Sequence, residues 1–118
     1  MRSIFVTGAT GYIGSYVVSE LLRTSEQPLA LLVRAGSPQQ ARERLWKALQ
    51  LHMEFDEFSG LLRRRIELYL GDITLPALGL EPPAFGRLAG SIDSILHIAA
   101  SLNRRSAKAC FNVNLRGT

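Results

Sequence analysis

The chain has 118 residues, of which 47% are hydrophobic and 20% charged, and this composition excludes a disordered polymer and predicts one globular domain. No apolar run approaches the roughly 20 residues that span a bilayer, and a single cysteine excludes an internal disulfide, so a cytoplasmic protein without a membrane span is expected. The net charge of +4 comes from arginine. Without a nucleic-acid-binding motif beside it, this surplus favours phosphate-bearing metabolites over nucleic acid.

The first predicted elements are a strand over residues 3–7 and a helix over residues 12–24, joined by a glycine-rich turn. The turn reads TGATGYIG and places glycine at every third position: Gly8, Gly11 and Gly14. Between a strand and a helix, such glycines permit a tight turn, close approach of a diphosphate, and close helix–sheet packing, respectively. The backbone N–H groups of Tyr12 and Ile13 begin the helix and are free for anionic oxygens, and Thr10 adds a hydroxyl. The turn therefore predicts a dinucleotide site.

The second strand, over residues 29–34, ends at a position that distinguishes NAD from NADP. An acidic residue there would bind the ribose hydroxyls of NAD. This chain has Arg34, whose guanidinium suits a 2′-phosphate, so NADP(H) is the predicted cofactor. Arg44, on the helix that Ser37 and Pro38 begin, is a candidate second contact. The alternative is that both are ordinary surface arginines.

The middle of the chain predicts a short helix and a loop over residues 53–65, with the run Arg63-Arg64-Arg65 as a solvated helix end. A third strand follows over residues 66–70. Asp72 and Ile73, just beyond it, would lie beside the adenine, with the carboxylate accepting from the exocyclic amine. The alternative for Asp72 is a simple turn residue. A short helix is predicted over residues 84–89.

The fourth strand, over residues 94–98, ends in small residues that would let the cofactor pass its tip. Ala99 and Ala100 leave room for the ribose and nicotinamide, and Ser101 follows them as a further cofactor-binding candidate. His97 alternates with apolar residues and is interpreted as a satisfied core histidine. A helix is predicted from Arg104 to the end of the chain.

Alternating strands and helices predict an α/β fold with right-handed crossovers and a parallel sheet. The expected architecture is the N-terminal half of a Rossmann-type, doubly wound sheet with strand order 3-2-1-4 and flanking helices, an incomplete NAD(P)-binding domain over residues 1–118. No metal site is predicted. The outer edge of the fourth strand would be bare, so low stability or self-association through that edge is expected.

The combined motifs resemble the extended short-chain dehydrogenase/reductase family. The matching pieces are TGATGYIG, the arginine after LLV, GDIT, HIAA and NVNLRGT. Within that family the chain is most similar to the thioester-reductase branch, which includes the terminal domains of carboxylic acid reductases and the fatty acyl-CoA reductases. The segments LLVRA, GDITLPALGL and ILHIAASLN carry this narrower likeness.

The resemblance implies NADPH-dependent hydride transfer to an acyl thioester, held on coenzyme A or on a carrier protein, with release of an aldehyde or alcohol. By the same resemblance, Asn114 matches a helix asparagine that orders the catalytic proton relay. The family also needs a Tyr-x-x-x-Lys pair. The tyrosines here are followed four residues later by Tyr16, Glu20 and Ile73, so the chain is expected to be a cofactor-binding front half that binds without turnover, its C-terminal catalytic and substrate part absent.

Two other functions stay open on the sequence. One is an NAD-linked nucleotide-sugar epimerase or dehydratase of the same family, which Arg34 disfavours. The other is a non-catalytic dinucleotide-binding module, which the missing Tyr-x-x-x-Lys pair favours as much as it favours an incomplete enzyme. A nucleic-acid binder is a third and weaker interpretation, whose signature would be steep salt dependence of binding.

Overall fold

A computed structural model describes residues 2–98 of the chain and the backbone of residues 110–114. Strands and helices alternate along most of this length, with a short turn of 3-10 helix at Pro76–Gly79. The elements are β1 (Ser3–Thr7), α1 (Tyr12–Thr24), β2 (Leu29–Val33), α2 (Pro38–Leu49), α3 (Phe55–Arg64), β3 (Ile66–Leu70), α4 (Pro82–Ser91), β4 (Ile92–Ile98) and β5 (Cys110–Asn114).

The strands form one sheet in the order β3-β2-β1-β4-β5. The first four are parallel, with Ile4 of β1 paired with Leu29 on one side and with Ser94 on the other. The predicted order 3-2-1-4 and the α/β class are therefore confirmed. The chain leaves β1 toward β2 and β3 on one side and returns to β4 on the other, which creates a switch point between β1 and β4.

Apolar residues cover both faces of the sheet, but unequally. On one face α1, α2 and α3 contribute Val18, Leu45, Leu49 and Phe58 to a large cluster with β1 and β2. On the other face a smaller cluster surrounds Leu88, the one buried residue of α4. Because β2 is buried at all five positions, its sequence shows no polar alternation, as expected for a parallel strand covered on both faces.

The predicted start of α2 is confirmed in detail. The Ser37 hydroxyl accepts from the Gln40 backbone N–H at 3.1 Å, and Pro38 occupies the first helical position. The Gln40 side-chain oxygen accepts a hydrogen bond from the Gly36 N–H rather than from the Ser37 N–H. The helix therefore begins where a capping box would place it, with the second bond of the box displaced by one residue.

The prediction for the arginine run is wrong at one of its three positions. Arg63 and Arg64 are exposed at the end of α3, as expected, but Arg65 is half-buried. Its guanidinium donates to the Leu22 carbonyl at 2.8 Å and to the Gln27 carbonyl at 3.0 Å. Since carbonyls at a helix end lack intrahelical donors, Arg65 supplies a bond there that solvent would otherwise provide.

The helix predicted from Arg104 onward is wrong over Cys110–Asn114, which forms β5 antiparallel to β4. The sheet is thus not wholly parallel, and the premise that the edge of β4 is bare is also wrong. Phe111 and Val113 are residues favoured in strands, and the edge of β4 offers unpaired N–H and C=O groups. Pairing with that edge outweighs the helix propensity of the surrounding sequence.

Within the described part of the chain, the helices are all too short or too polar to cross a membrane.

Candidate nucleotide-binding site

A cleft of about 400 Å³ lies where β1, β2, β3 and β4 present their carboxyl ends, and we call it the carboxyl-edge cleft. Its lining residues are Thr7, Gly8, Thr10, Leu32, Arg34, Gly71, Asp72, Ile73, Thr74, His97 and Ile98. In open α/β sheets, ligands bind beyond the carboxyl ends of the strands at the switch point in strand order. The position and the mixed polar and apolar lining therefore both indicate a ligand site.

Gly8 and Gly14 are required by contacts inside the protein. Gly8 has a φ of +79°, where side chains are strained, and a Cβ there would overlap the Ile98 carbonyl oxygen of β4. A Cβ on Gly14 would overlap the carbonyl oxygen of Gly8. The first glycine thus permits the turn and the third permits α1 to approach β1, the two roles that the sequence predicted for them.

Gly11 differs from the other two glycines because no described residue excludes a side chain there. Its φ of −81° and ψ of 174° suit any residue, and an added Cβ would meet only the Gly8 carbonyl oxygen, at an ordinary 3.6 Å. Nothing in the described part of the chain therefore fills the space beside Gly11. A ligand that approaches the backbone would account for a glycine that packing does not require.

The first turn of α1 presents backbone donors beside that open space. The first intrahelical bond runs from the Ser15 N–H to the Gly11 carbonyl at 2.8 Å, and no side chain caps the helix. The N–H groups of Tyr12, Ile13 and Gly14 consequently lack intrahelical acceptors. Together with the positive end of the helix dipole, they form a group of donors suited to a phosphate.

An ion pair lies at the rim of the carboxyl-edge cleft, between the ends of β2 and β3. Arg34 Nη1 is 3.7 Å from Asp72 Oδ2. The other oxygen, Oδ1, accepts from the Thr74 backbone N–H at 2.9 Å and from its hydroxyl at 2.7 Å. The Thr74 hydroxyl, its N–H and then Arg34 hold the pKa of the Asp72 carboxyl below its usual value, because each stabilises the charged form.

Thr7 and His97 meet at the floor of the cleft, at the ends of the adjacent strands β1 and β4. Thr7 Oγ1 lies 2.6 Å from His97 Nδ1, and Thr7 is buried. His97 is half-buried and lines the cleft, so it is a hydrogen-bonded histidine as predicted, although one that reaches the site. Sequence reasoning missed Thr7 and Thr74 as cleft residues; their positions at the carboxyl end of β1 and in the GDIT turn could have indicated both.

The structure brings together five of the predicted cofactor-binding residues in the cleft lining: Gly8, Thr10, Arg34, Asp72 and Ile73. Arg44 is exposed on α2 and is not part of that lining. The predicted residues Ala99, Ala100 and Ser101 lie outside the described residues.

Asn114 does not lie on the helix that its predicted role assumed. It belongs to β5 and pairs with Ser94 in the amino-terminal half of β4, whereas the cleft begins at the other end of that strand, where Ile98 pairs with Cys110. The helical setting of Asn114 is therefore wrong, and its part in a proton relay stays a prediction.

A second cleft, of about 380 Å³, lies between α2 and α3 and is mostly apolar, with Trp46, Phe55, Phe58 and Leu62 among its lining residues. Arg42, Glu43 and Arg63 also line it, but no ion pair joins them among the described residues. Within the described residues, no cluster of three or more His, Cys, Asp or Glu side chains is arranged to hold a metal ion.

Comparison with known proteins assigns the chain to a family. The model of the Male sterility protein family, an NAD-binding family, matches residues 6–118. The chain belongs to this family. The resemblance to the reductase branch that the motifs indicated is thereby confirmed.

Two curated relatives are named for synthases or reductases. An isonitrile lipopeptide synthase of Mycobacterium tuberculosis is 39% identical over 125 residues, covering 100% of this chain and 5% of the relative. A putative fatty acyl-CoA reductase of Drosophila melanogaster, CG8306, is 37% identical over 99% of this chain and 24% of its own length. The chain thus spans a quarter or less of these two relatives.

Solved structures of reductase domains share the fold. The reductase domain of a non-ribosomal peptide synthetase from Mycobacterium tuberculosis is 40% identical, with a TM-score of 0.75 over 87% of this chain and 25% of that domain. The terminal reductase domain of the myxalamid biosynthetic pathway is 35% identical, with a TM-score of 0.74 over the same shares. The α/β architecture seen here is therefore that of reductase domains.

Proposed function

We propose that this chain is the NADP(H)-binding portion of an oxidoreductase that reduces an acyl thioester to an aldehyde or alcohol. Fatty acyl-CoA, named in one relative, is an acyl thioester, and the reductase domains of peptide synthetases share the fold. The proposed substrate is accordingly an acyl group on coenzyme A or on a carrier protein. The observation that carries the proposal is the open backbone at Gly11, beside uncapped helix donors and within the same turn that lines the arginine-rimmed cleft.

Each part of the carboxyl-edge cleft has a proposed role toward the dinucleotide. The N–H groups of Tyr12 and Ile13 would bind the diphosphate, assisted by the Thr10 hydroxyl, while Gly11 keeps the approach clear. Arg34 would bind the 2′-phosphate, with Arg44 as a second cationic contact. Asp72 and Ile73 would border the adenine.

The reacting end of the cofactor is assigned to the segment after β4. Ala99, Ala100 and Ser101 would border the nicotinamide ribose. The relay role of Asn114 would require it near this end of β4, whereas its pairing with Ser94 places it toward the other end. Bound NADPH supplies the hydride. The residues assigned here hold and orient the cofactor.

Turnover by these 118 residues alone is not expected, because none of their tyrosines is followed four residues later by lysine. A positioned acid is needed to protonate the developing alkoxide. Mixing the chain with NADPH and an acyl-CoA should therefore leave the NADPH absorbance unchanged. A steady, enzyme-dependent loss of that absorbance would contradict this part of the proposal.

Cofactor binding is tested by calorimetric titration of the chain with NADPH and with NADH. The proposal predicts tighter binding of NADPH, and an Arg34→Ala variant should lose roughly 10- to 100-fold in affinity for NADPH. Arg64→Ala is the matched control, since Arg64 is exposed on α3 and is not in the cleft lining. Equal or tighter binding of NADH would favour an NAD-linked relative of the family, and binding of neither would contradict the site.

A further inference from the structure

The ion pair at the cleft rim has one fixed partner and one mobile partner. Two hydrogen bonds from Thr74 hold the Asp72 carboxylate, whose side chain is only 21% exposed. The Arg34 side chain is 76% exposed and has a single long contact with that carboxylate, at 3.7 Å. Arg34 can therefore turn away from Asp72 at little cost, whereas Asp72 cannot follow it without losing its bonds to Thr74.

No other charged side chain among the described residues of the cleft lining can substitute for either partner. The lining contains Arg34 and Asp72 as its charged groups, with His97 as its one histidine. A phosphate bound at this rim would thus meet one cation and one anion, side by side. The anion both neutralises the arginine and repels the phosphate.

On this arrangement, and resting on the proposed function, we propose that Asp72 is a specificity-determining residue that competes with the ribose 2′-phosphate for Arg34. NADPH must displace or share the Asp72 carboxylate to reach the guanidinium. NADH carries no 2′-phosphate and leaves the pair intact. Asp72 therefore lowers the preference for NADPH that Arg34 alone would give, and its removal should increase that preference.

Asp72→Asn tests this inference with little structural change. The amide has the same shape, and its oxygen can still accept both hydrogen bonds from Thr74. The substitution therefore removes the charge and the ion pair but leaves the loop anchored. Asp93→Asn is the control for a change of net charge, because Asp93 lies near the start of β4, at the opposite edge of the sheet.

The probes are adenosine 2′,5′-bisphosphate and 5′-AMP, which differ only in the 2′-phosphate and need only the adenosine end of the site. Asp72→Asn should tighten binding of the bisphosphate by about 2- to 10-fold relative to binding of 5′-AMP. Binding of 5′-AMP measures the effect of the substitution at the adenine, which the two probes share. In an Arg34→Gln background the same substitution should have less than half of its effect on the bisphosphate.

Each other result overturns the inference. Equal tightening with and without Arg34 would mean that the carboxylate repels the phosphate directly, without competition for the arginine. An unchanged ratio of the affinities for the bisphosphate and for 5′-AMP, in a chain that still prefers NADPH, would contradict the role of Asp72 and leave the proposed function standing. If the wild-type chain binds the bisphosphate and 5′-AMP with equal affinity, both this inference and the proposed preference for NADPH are contradicted. If Asp72→Asn does not fold, as judged by circular dichroism, Asp72→Ser provides the same test.

Discussion

Gly8 and Gly14 are needed for the packing of α1, β1 and β4, whereas Gly11 has room for a side chain. The first two leave no room for a Cβ beside the carbonyl oxygens of Ile98 and Gly8, and Gly11 leaves ordinary space. Stability and ligand binding should therefore respond differently to the same glycine-to-alanine change. Within seven residues, packing accounts for Gly8 and Gly14, and the proposed ligand approach accounts for Gly11.

Gly14→Ala should destabilise the fold by about 1–3 kcal/mol, because the new methyl overlaps the Gly8 carbonyl and forces α1 away from β1. Gly11→Ala should cost less than about 1 kcal/mol, the difference between glycine and alanine as helix N-caps. It should nevertheless weaken NADPH binding at least 10-fold. Urea denaturation and calorimetric titration measure the two effects, and a Gly11→Ala chain that binds NADPH normally would contradict the role given to the open backbone.

The Asp72 carboxyl should titrate below its usual pKa of 3.8. The largest cause is the Thr74 hydroxyl, so Thr74→Val should raise that pKa toward 3.8. A lowered folded-state pKa stabilises the fold at pH values above the unfolded pKa, and this stabilisation is lost as the pH falls through the folded one. NMR titration of the carboxyl carbon measures the pKa, and equal values in the two proteins would contradict the assignment.

At the scale of elements, Arg65 connects the end of α3 with the end of α1 and with the start of β2. It follows α3, pairs its backbone with β2 through the Leu29 N–H at 2.8 Å, and reaches the end of α1 at Leu22 and the following loop at Gln27. Both side-chain bonds are charge-assisted and partly shielded from water. Neither partner is within 30 residues of Arg65 along the chain.

Arg65→Met should lower the free energy of unfolding by about 1.5–3 kcal/mol, since it keeps much of the apolar stem but leaves two carbonyls without their charged donor. Arg64→Met should change the free energy by less than about 0.5 kcal/mol, because that side chain is exposed and its hydrogen bond, to the Gly60 carbonyl, lies within α3. Urea denaturation of both variants compares them directly. Equal losses would show that Arg65 acts only through its backbone.

The sequence predicted the elements that local pattern determines and failed where distant pairing decides. The bounds of β1, α1 and β3 agree with the prediction, because a short apolar strand next to glycine is a local signal. β5 was missed, since it forms only by pairing with the edge of β4. The contacts of Arg65 and the bond between Thr7 and His97, 90 residues apart, have no local signal. The glycine turn was predictable because it lies between an apolar strand and an amphipathic helix, and the role of Arg34 stays a prediction.

For the molecule as a whole, the two faces of the sheet differ in how many apolar residues they bury, so one face should be more stable than the other. Leu45 and Leu49 of α2 are fully buried within the large cluster that α1, α2 and α3 form. Among the described residues, the helix on the opposite face is α4, whose one buried residue, Leu88, packs with Phe5, Tyr69 and Ile92. Opening of α4 should therefore cost much less free energy than global unfolding, as expected for a segment with few buried apolar contacts.

Truncating a buried leucine on one face should consequently destabilise a different part of the structure than truncating one on the other face. Leu45→Ala should lower the global stability by about 2–5 kcal/mol and reduce amide protection throughout the sheet. Leu88→Ala should remove protection from the α4 amides while β1 and β2 keep theirs, because α4 can detach without opening the large cluster. Hydrogen exchange followed residue by residue separates the two responses. If β1 loses as much protection as α4 in Leu88→Ala, the two faces unfold as one unit and the division is wrong.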